Sequence, residues 1–519
     1  MKKLLLKYYP FLPLLLLCVF YAFKAVSFPI HDFANYYFGG KLLAEGHFNT
    51  DVYFPYNFNK AISDLGYQNI FVSYAPNTPF LALLFSPFSF ISVETAKLVF
   101  NGISIGLFVL GIYRLFAFYK INPKFVLLIP VLFLVPIKNN LLFGQVYFLL
   151  FFLLAEGWLA YEKENWKLMT FFWGFAILLK VFPVLLIALL LFRKQWKPMF
   201  FLITFCFLLF GISLLFTGID IWFFYLKEVL PKASNGEIAG AFVPNYQSVF
   251  MFLKQLLIAT DNPNTVFNYP VLFSALMVTF KIGILTLGYF ISKRPSTVLF
   301  TFSYWILAMI LLSPYGSTYT LILLLFPFFA LLKSDVSNVK RIVFCVTLFL
   351  ISNLILSLFI ENQFPFSYLR FFLLMMLFVL FLMQFQQKIN WKIVTVFSLV
   401  PMILILIFKK NEAVKSTILL KNGPILIYDY EIKNNQLTYF YWNENGENKV
   451  SIPFKNSSVT ELDIKENQIV FKVRILTSDE SHKSKPILID NKTILYLSDY
   501  GRGIGFYTLR KIEDRKSVV

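Results

Sequence analysis

The chain has 519 residues, of which 58% are hydrophobic and 14% charged, and its mean hydropathy is +0.68. An ordinary soluble domain is about 45–50% apolar and about 25% charged, so this composition excludes a soluble globule, as well as the disordered and fibrous classes. The net charge of +19 does not indicate nucleic-acid binding, because the cations lie at the ends of apolar segments, where membrane topology and anionic lipid account for them.

The first apolar run follows Lys2 and Lys3 and has no small-residue cleavage site, so we interpret it as a retained signal anchor. About 20 apolar residues are needed to cross a bilayer. By this criterion the sequence predicts eleven crossings, near 4–27, 93–118, 123–139, 144–161, 198–217, 268–291, 296–313, 317–332, 340–360, 369–386 and 391–408. The three cysteines lie inside apolar runs, so neither a disulfide framework nor a zinc site is predicted.

Residues 168–192 have the length of a span, but Lys180 and Pro183 interrupt the middle. A single crossing here would place Arg193, Lys194 and Lys197 outside and reverse every later loop, against the positive-inside rule. We therefore predict two half-helices that form a re-entrant hairpin, with the N-terminus in the cytoplasm. The predicted fold is an all-α polytopic membrane protein of about eleven spans plus this re-entrant helical hairpin.

The first outer loop, 28–92, is much longer than the usual connection between packed helices and is rich in Asn, Tyr, Pro and His. At its start, His31 and Asp32 are followed by Tyr36 and Tyr37, and Tyr74 occurs later in a Pro-rich run. An acid just beyond a membrane helix can be a solvated cap. The polar and aromatic neighbours of Asp32 instead favour a rigid pocket.

Further polar residues are predicted at the same membrane face. Gln145 opens the fourth span, Asn245 and Gln247 end the second outer loop, and Arg370 lies at the outer end of the 369–386 span. Each amide is by itself a weak signal, because Asn and Gln are common in interfacial loops. For Arg370, two interpretations stay open, namely a phosphate ligand and an exposed loop arginine.

Ionisable groups within the hydrocarbon are costly and are therefore candidates for function. For Glu156, near the inner end of its span, snorkelling or an ion pair that fixes packing is the preferred interpretation, and for Lys281 both interpretations stay open. Lys180 differs because a helix break leaves backbone amides unpaired beside its ammonium group. A half-helix N-terminus next to a cation favours an anion site suited to phosphate over a structural kink.

After residue 408 the long apolar runs give way to short alternating segments, which predict a small β domain at 409–519. The predicted strands include Pro424–Tyr430, Leu437–Trp442, a hairpin turn at 443–448, and Gly503–Leu509. An odd number of crossings places this domain outside the cell. Tyr439, Tyr441 and Trp442 could bind carbohydrate, but alternating aromatics more often pack within a sheet.

Several of these segments, taken in order, resemble glycosyltransferase family 87, a branch of the GT-C superfamily of membrane transferases that use polyprenyl-phosphate sugars. The matching pieces cover about the first half of the chain. They are His31-Asp32-Phe33 with Tyr36-Tyr37, Tyr74-x-Pro-x-x-Pro79, Phe143-Gly-Gln145, Lys180-Val-Phe-Pro183 followed by Arg193-Lys-Gln-Trp196, and Asn245-x-Gln-Ser248. The segment after residue 408 matches nothing in the family pattern.

The resemblance implies a GT-C-like domain at 1–408 that transfers a hexose, usually mannose in this family, from a polyprenyl-phosphate donor to a glycan or lipid acceptor with inversion. One base and positive charge near the departing phosphate suffice for this reaction. Asp32 is the implied base. Lys180 and Arg370 are implied phosphate ligands, and the implied contacts to sugar hydroxyls are His31, Tyr36, Tyr37, Tyr74, Gln145, Asn245 and Gln247.

No Asp-x-Asp motif occurs in the sequence, so no metal or other cofactor is predicted, although a weak dependence on a divalent ion stays open. The expected partners are the lipid donor, the acceptor and membrane lipid, without nucleic acid. Usage rich in Lys, Asn and Phe suggests an AT-rich bacterial genome, and hence the cytoplasmic membrane of a bacterium, with the site and the β domain extracytoplasmic. The alternatives are a flippase for lipid-linked glycans or another permease, and a membrane anchor that displays the β domain.

Overall fold

The computed structural model describes residues 9–513 except 241, 244, 260–264, 294–297, 384–388, 410–415, 421–422, 455–458, 472–473 and 491. The described chain is mostly helical as far as Phe408 and forms β-strands from Ser416 onward. Lys2 and Lys3, on which the predicted signal anchor depends, lie outside the described residues.

The α-helices of the described chain are numbered here in sequence order. They are α1 Leu12–Lys24, α2 Phe33–Ala44, α3 Pro55–Asp64, α4 Pro79–Phe85, α5 Val93–Tyr119, α6 Ile129–Leu132, α7 Leu134–Phe143, α8 Tyr147–Glu162, α9 Trp166–Leu179, α10 Leu185–Phe192, α11 Trp196–Thr217, α12 Ile219–Phe224, α13 Leu230–Ser234, α14 Val249–Leu257, α15 Pro270–Ser292, α16 Val298–Leu312, α17 Leu325–Lys333, α18 Asn338–Asn353, α19 Leu369–Leu382 and α20 Trp391–Phe408. Short 3₁₀ turns precede or follow several of them, including Thr50–Tyr53, Phe182–Val184 and Thr318–Leu324.

Four described helices are long and apolar enough to cross a membrane, namely α5, α11, α15 and α20. The segment 123–143 is a fifth candidate, but it bends by 70° between Leu132 and Leu134. Most of the other predicted spans appear as apolar helices of 10–17 residues, shorter than the roughly 20 residues that a bilayer requires. The chain is thus a membrane protein built of apolar helices, and the number of eleven crossings stays a prediction.

Local sequence explains where the helices begin and end. In α5, the Ser92 hydroxyl accepts a hydrogen bond from the Thr95 amide at 3.4 Å and so caps the first turn, while Lys120 ends the helix in the left-handed conformation with φ 51°. Gly144, with φ 65°, turns the chain between α7 and α8, and a Cβ placed there would lie 2.7 Å from Cβ of Phe33. Glycine is therefore required for the close approach of this turn to the start of α2.

The interrupted segment between α9 and α10 doubles back. The Arg193 guanidinium, just after α10, donates to the Tyr161 hydroxyl at 3.2 Å, and the Tyr161 ring lies 5.7 Å from the ring of Trp166 at the start of α9. An unbroken helix would separate Trp166 from Arg193 by about 40 Å. Both ends of the segment thus lie at one face of the bundle and Lys180 lies at the opposite tip, which is the geometry of the predicted hairpin.

The two other intramembrane charges have different surroundings. Glu156 forms an ion pair with Arg114, a partner on the neighbouring helix α5, which agrees with the packing interpretation. Lys281, in α15, is exposed on the surface of the described helices.

The β region contains eleven described strands in three antiparallel sheets. The strands are β1 Ser416–Ile418, β2 Ile427–Lys433, β3 Gln436–Asn443, β4 Gly446–Pro453, β5 Thr460–Glu461, β6 Asp463–Lys465, β7 Gln468–Phe471, β8 Arg474–Ile475, β9 Lys483–Leu488, β10 Thr493–Ser498 and β11 Thr508–Glu513. The sheet orders are β1-β11-β10-β9-β5, β2-β3-β4 and β6-β7-β8. Asn443 pairs with Gly446 across the predicted hairpin turn.

One predicted strand is placed wrongly. The structure forms a loop at 503–507, and the strand starts only at Thr508. Ile504 and Phe506 produce the alternating pattern because they are buried against the helical part of the chain and not because they belong to a sheet. Tyr439 and Trp442 are likewise buried in apolar clusters, in agreement with packing.

Candidate active site

Asp32 lies at the junction of the first apolar helix and α2. It directly precedes Phe33, the first residue of α2, and His31 before it adopts the left-handed conformation with φ 47°. Such a conformation is uncommon outside glycine and concentrates at functional sites. The Asp32 side chain is half-buried, and its Oδ2 accepts a hydrogen bond from Nε2 of Gln145 at 2.5 Å.

Gln145 is itself held in place from the other side. The Tyr36 hydroxyl donates to Oε1 of Gln145 at 2.8 Å, and both side chains are buried. Tyr36 lies one helical turn after Asp32, so the two residues share a face of α2. This arrangement directs the amide N–H of Gln145 toward the carboxylate.

Lys180 lies at the tip of the hairpin, close to the cluster formed by Asp32, Gln145 and Tyr36. Its ammonium donates to Oδ1 of Asn77 at 3.2 Å and lies 5.7 Å from the ring centre of Tyr36 and 5.9 Å from that of Tyr147. At the break itself, the Thr78 hydroxyl donates to the carbonyl of Leu178 at 2.7 Å. Among the described residues no acid lies within ion-pair distance of Lys180, which leaves its positive charge available to an anion.

Three tyrosines from distant parts of the chain lie near the carboxylate. Tyr147, Tyr246 and Tyr319 all lie within electrostatic range of Asp32. The rings of Tyr147 and Tyr319 are 5.2 Å apart. The site is thus a carboxylate and an ammonium group set among aromatic rings and amides, with hydrogen-bonding groups suited to a polyhydroxylated ligand.

A comparison with known protein families gives one match, which covers residues 75–314 and is to the model of glycosyltransferase family 87. Over this segment, the chain is similar to glycosyltransferase family 87. The chain is therefore a glycosyltransferase. No curated protein sequence matches the chain significantly.

The family match covers only part of the site. Gln145, Lys180, Asn245 and Gln247 lie inside the matched segment, whereas Asp32 and Arg370 lie outside it. The case for Asp32 as a functional group in this glycosyltransferase therefore rests on its geometry, above all on its contact with Gln145.

The surroundings of Asp32 also control its proton affinity. Burial raises the pKa of the carboxyl above its ordinary value, and the hydrogen bond from Gln145 and the charges of His31 and Lys180 oppose that effect. A carboxyl with a raised pKa loses its basic form at a higher pH than an exposed one does. Activity that needs the carboxylate is therefore lost as the pH falls through the raised pKa.

Gln145→Met removes the donor and keeps the length of the side chain. A hydrogen bond to a carboxylate stabilises its charged form, so the loss of this bond should raise the pKa of Asp32 further. We expect the acidic limb of the kcat/KM profile against pH to move to higher pH, with much of the activity recovered at high pH. Gln68→Met, at an exposed residue of the first outer loop, should leave the profile in place. An unshifted limb in Gln145→Met would show that another group titrates.

Three predicted residues from the first loop have other surroundings. The Tyr37 hydroxyl donates to the Ile91 carbonyl at 2.8 Å, on a different side of α2 from Tyr36. Tyr74 donates to the Thr78 carbonyl at 3.0 Å, and its ring packs against α2. His31 is exposed, with its ring 5.1 Å from that of Phe143. Of these three residues, His31 is next to Asp32, whereas the hydroxyls of Tyr37 and Tyr74 bond to backbone carbonyls.

The remaining predicted residues have other surroundings. Asn245 is exposed, and Gln247 is buried, with its Nε2 donating to the Ser367 carbonyl at 2.9 Å. Arg370 is buried, in contrast to the open loop position that the sequence allowed. Its guanidinium donates to the Thr318 hydroxyl at 2.8 Å and to the Leu354 carbonyl at 2.5 Å. It thus holds the segment that precedes Tyr319.

Sequence reasoning missed Asn77, Tyr147, Tyr246 and Tyr319 as members of the site, although Tyr246 stands between two predicted residues. Asn77 stands between two prolines of the Tyr74–Pro79 run, and Tyr147 comes two residues after Gln145, so both carry a weak local signal. Tyr319 has none, because only the packing of the 3₁₀ turn Thr318–Leu324 against α8 brings it to Tyr147. Within the described residues no three His, Cys, Asp or Glu side chains come together as a metal site, and metal independence stays a prediction.

Proposed function

We propose that this glycosyltransferase moves a hexose, mannose or a close relative, from a polyprenyl phosphate to an extracytoplasmic glycan or lipid, with Asp32 as the general base. The observation that carries the proposal is that a carboxylate and an ammonium group lie close together at the tip of a membrane hairpin. Gln145, itself held by Tyr36, bonds to Asp32. Lys180 lies 5.7 Å from the ring centre of the same Tyr36 and within electrostatic range of Asp32.

The chemistry needs no more than these two charges. The acceptor hydroxyl attacks the anomeric carbon as its proton passes to the Asp32 carboxylate, and the bond between the anomeric carbon and the phosphate oxygen breaks. The electron pair of that bond leaves with the polyprenyl phosphate, whose growing negative charge Lys180 stabilises. Attack on the face opposite the leaving group inverts the anomeric centre.

The position of the charges in the membrane supports a lipid donor. Arg193 and the adjacent lysines lie at the face of the bundle opposite the tip of the hairpin, so the positive-inside rule assigns that face to the cytoplasm. Asp32 and Lys180 then lie toward the extracytoplasmic side. A lipid-linked sugar can present its phosphate there while its isoprenoid chain stays among the apolar helices.

The other residues take supporting roles in this proposal. His31, Tyr36 and Gln145 line the sugar position, and Asn77 orients Lys180. Asn245 is accessible to an acceptor from the outer side. Arg370 supports the site through Thr318 and is not assigned to the phosphate.

The donor class can be tested with the full chain in lipid nanodiscs. We expect transfer of labelled mannose from polyprenyl-phosphate mannose to an acceptor extract of bacterial membranes, with release of polyprenyl phosphate, and no transfer from a nucleotide sugar. A chelator of divalent ions should leave the rate unchanged. Transfer from the nucleotide sugar alone would contradict the proposal. Movement of an intact lipid-linked glycan across sealed vesicles without cleavage would support the flippase alternative instead.

A further inference from the structure

The C-terminal β region packs directly on the outer segments of the helical domain. The rings of Tyr56 in α3 and Tyr428 in β2 are stacked, with centres 4.0 Å apart. The amide of Gly503 donates to the Ala239 carbonyl at 3.1 Å, in the segment that leads toward Gln247. The β region thus contacts both of the outer segments that supply residues to the site.

A buried ion pair fixes this contact. Nζ of Lys232 lies 2.8 Å from Oδ1 of Asp499, and Asp499 is fully buried. The same carboxylate also accepts the amides of His482 and Gly505, each at 2.9 Å. Removal of one member would leave the other charge buried without its partner, which is strongly destabilising.

One chain of contacts leads from the β region to Lys180. A Cβ at Gly505 would lie 2.9 Å from Cδ1 of Phe54, so the loop of the β region rests on that ring. The next residue back, Tyr53, donates its hydroxyl to the Asn77 carbonyl at 2.9 Å. The side chain of Asn77 accepts the hydrogen bond from Lys180. The position of the ammonium group thus depends on a segment that the β region covers.

A second chain of contacts leads to Asp32. Lys232 belongs to α13, whose Ala233 carbonyl accepts the hydroxyl of Tyr315. The ring of Tyr315 lies 5.3 Å from that of Tyr246, which is within electrostatic range of Asp32. Both charged groups of the site therefore stand a few packed side chains from the same interface.

We propose that the β region is part of the catalytic unit, and that Lys232 and Asp499 are positioning residues for sugar transfer. The ion pair holds the outer segments against the β region, and these segments set Asn77 and Tyr246 beside the reacting groups. This inference rests on the proposed function. It gives the β region a role in catalysis, in contrast to the alternative in which the helices only anchor the β region to the membrane.

The test is the inhibition constant of polyprenyl phosphate, measured on the full-length enzyme in nanodiscs. Loss of folded enzyme lowers the apparent maximal rate but leaves this constant unchanged, whereas a displaced Lys180 weakens binding of the phosphate. We expect Lys232→Met to raise the constant by roughly fivefold or more. Lys232→Arg, which keeps the cation, should stay near the parent. Lys227→Met, an exposed residue of the preceding turn, is the matched control.

Asp499→Asn gives an independent reading from the other side of the interface, because it removes the charge and keeps the shape of the side chain. We expect the same rise in the inhibition constant. Unchanged constants in both Lys232→Met and Asp499→Asn would overturn the inference. If Asp32→Asn were inactive in the same preparation, the proposed function would still stand, whereas full activity of Asp32→Asn would refute that function whatever the interface variants show.

Discussion

Asp32→Asn is expected to lower sugar transfer from the lipid donor by about 10²–10⁴-fold, the usual contribution of a general base. Asparagine keeps the size of the side chain and can still pair with Gln145, but it cannot take the proton of the acceptor hydroxyl. The loss should therefore appear in kcat, while the KM for the donor changes little. The measurement is the initial rate of transfer at saturating donor, made on purified protein whose amount and monodispersity are matched to the parent.

Asp64→Asn is the matched control for this variant. It makes the same substitution in the same outer loop, at an exposed acid at the end of α3, and should retain the parental rate. A parental rate in Asp32→Asn would remove Asp32 as the base and with it the proposed mechanism.

Lys180→Met should weaken use of the donor by about 10²–10³-fold in kcat/KM, comparable with the loss of one preorganised group that stabilises developing charge. Methionine keeps the unbranched apolar stem as far as Cε near the rings of Tyr36 and Tyr147, so the tip of the hairpin can still pack. What is lost is the ammonium group, with its charge and its hydrogen bond to Asn77. Donor and acceptor must be titrated separately, because the KM for the acceptor should change much less.

Two comparisons separate a phosphate ligand from a folding role for Lys180. Lys41→Met removes a cation from α2 that pairs with Glu45 on the surface, and it should leave both KM values unchanged. Product inhibition by polyprenyl phosphate should weaken in Lys180→Met and persist in Lys41→Met. Equal losses for donor and acceptor in Lys180→Met, with product inhibition intact, would argue that the residue only supports the fold.

The family was accessible from the sequence because several short motifs occur in a fixed order, and the match over residues 75–314 confirms it. The membrane character was accessible for a different reason. Hydrophobic runs and cations at their ends are local properties of the chain, and they do not depend on how the helices pack. The interruption at Lys180 was visible on the same ground, since a charge and a proline fall together in one apolar run.

It was harder to predict from the sequence which residues form the site. Tyr36 and Tyr37 are neighbours in sequence, and the family resemblance implies that both contact the sugar. Successive helical residues point about 100° apart, however, so only one of them can face Gln145. The sequence does not give the rotation of α2 about its axis. The sequence likewise predicts Arg370 at the outer end of its span, but its burial against Thr318 and Leu354 depends on how three separate segments pack together.

By itself, the sequence determined that the chain is embedded in a membrane, that its helical part resembles one transferase family, that a helix breaks at Lys180 and that a β region follows residue 408. These are consequences of composition and of patterns within about 20 residues. Only the tertiary structure decided that Asp32 meets Gln145 across 113 residues and that the β region rests on the outer segments. Such contacts depend on the directions of individual side chains and on the packing of distant elements, and neither leaves a mark in a local pattern.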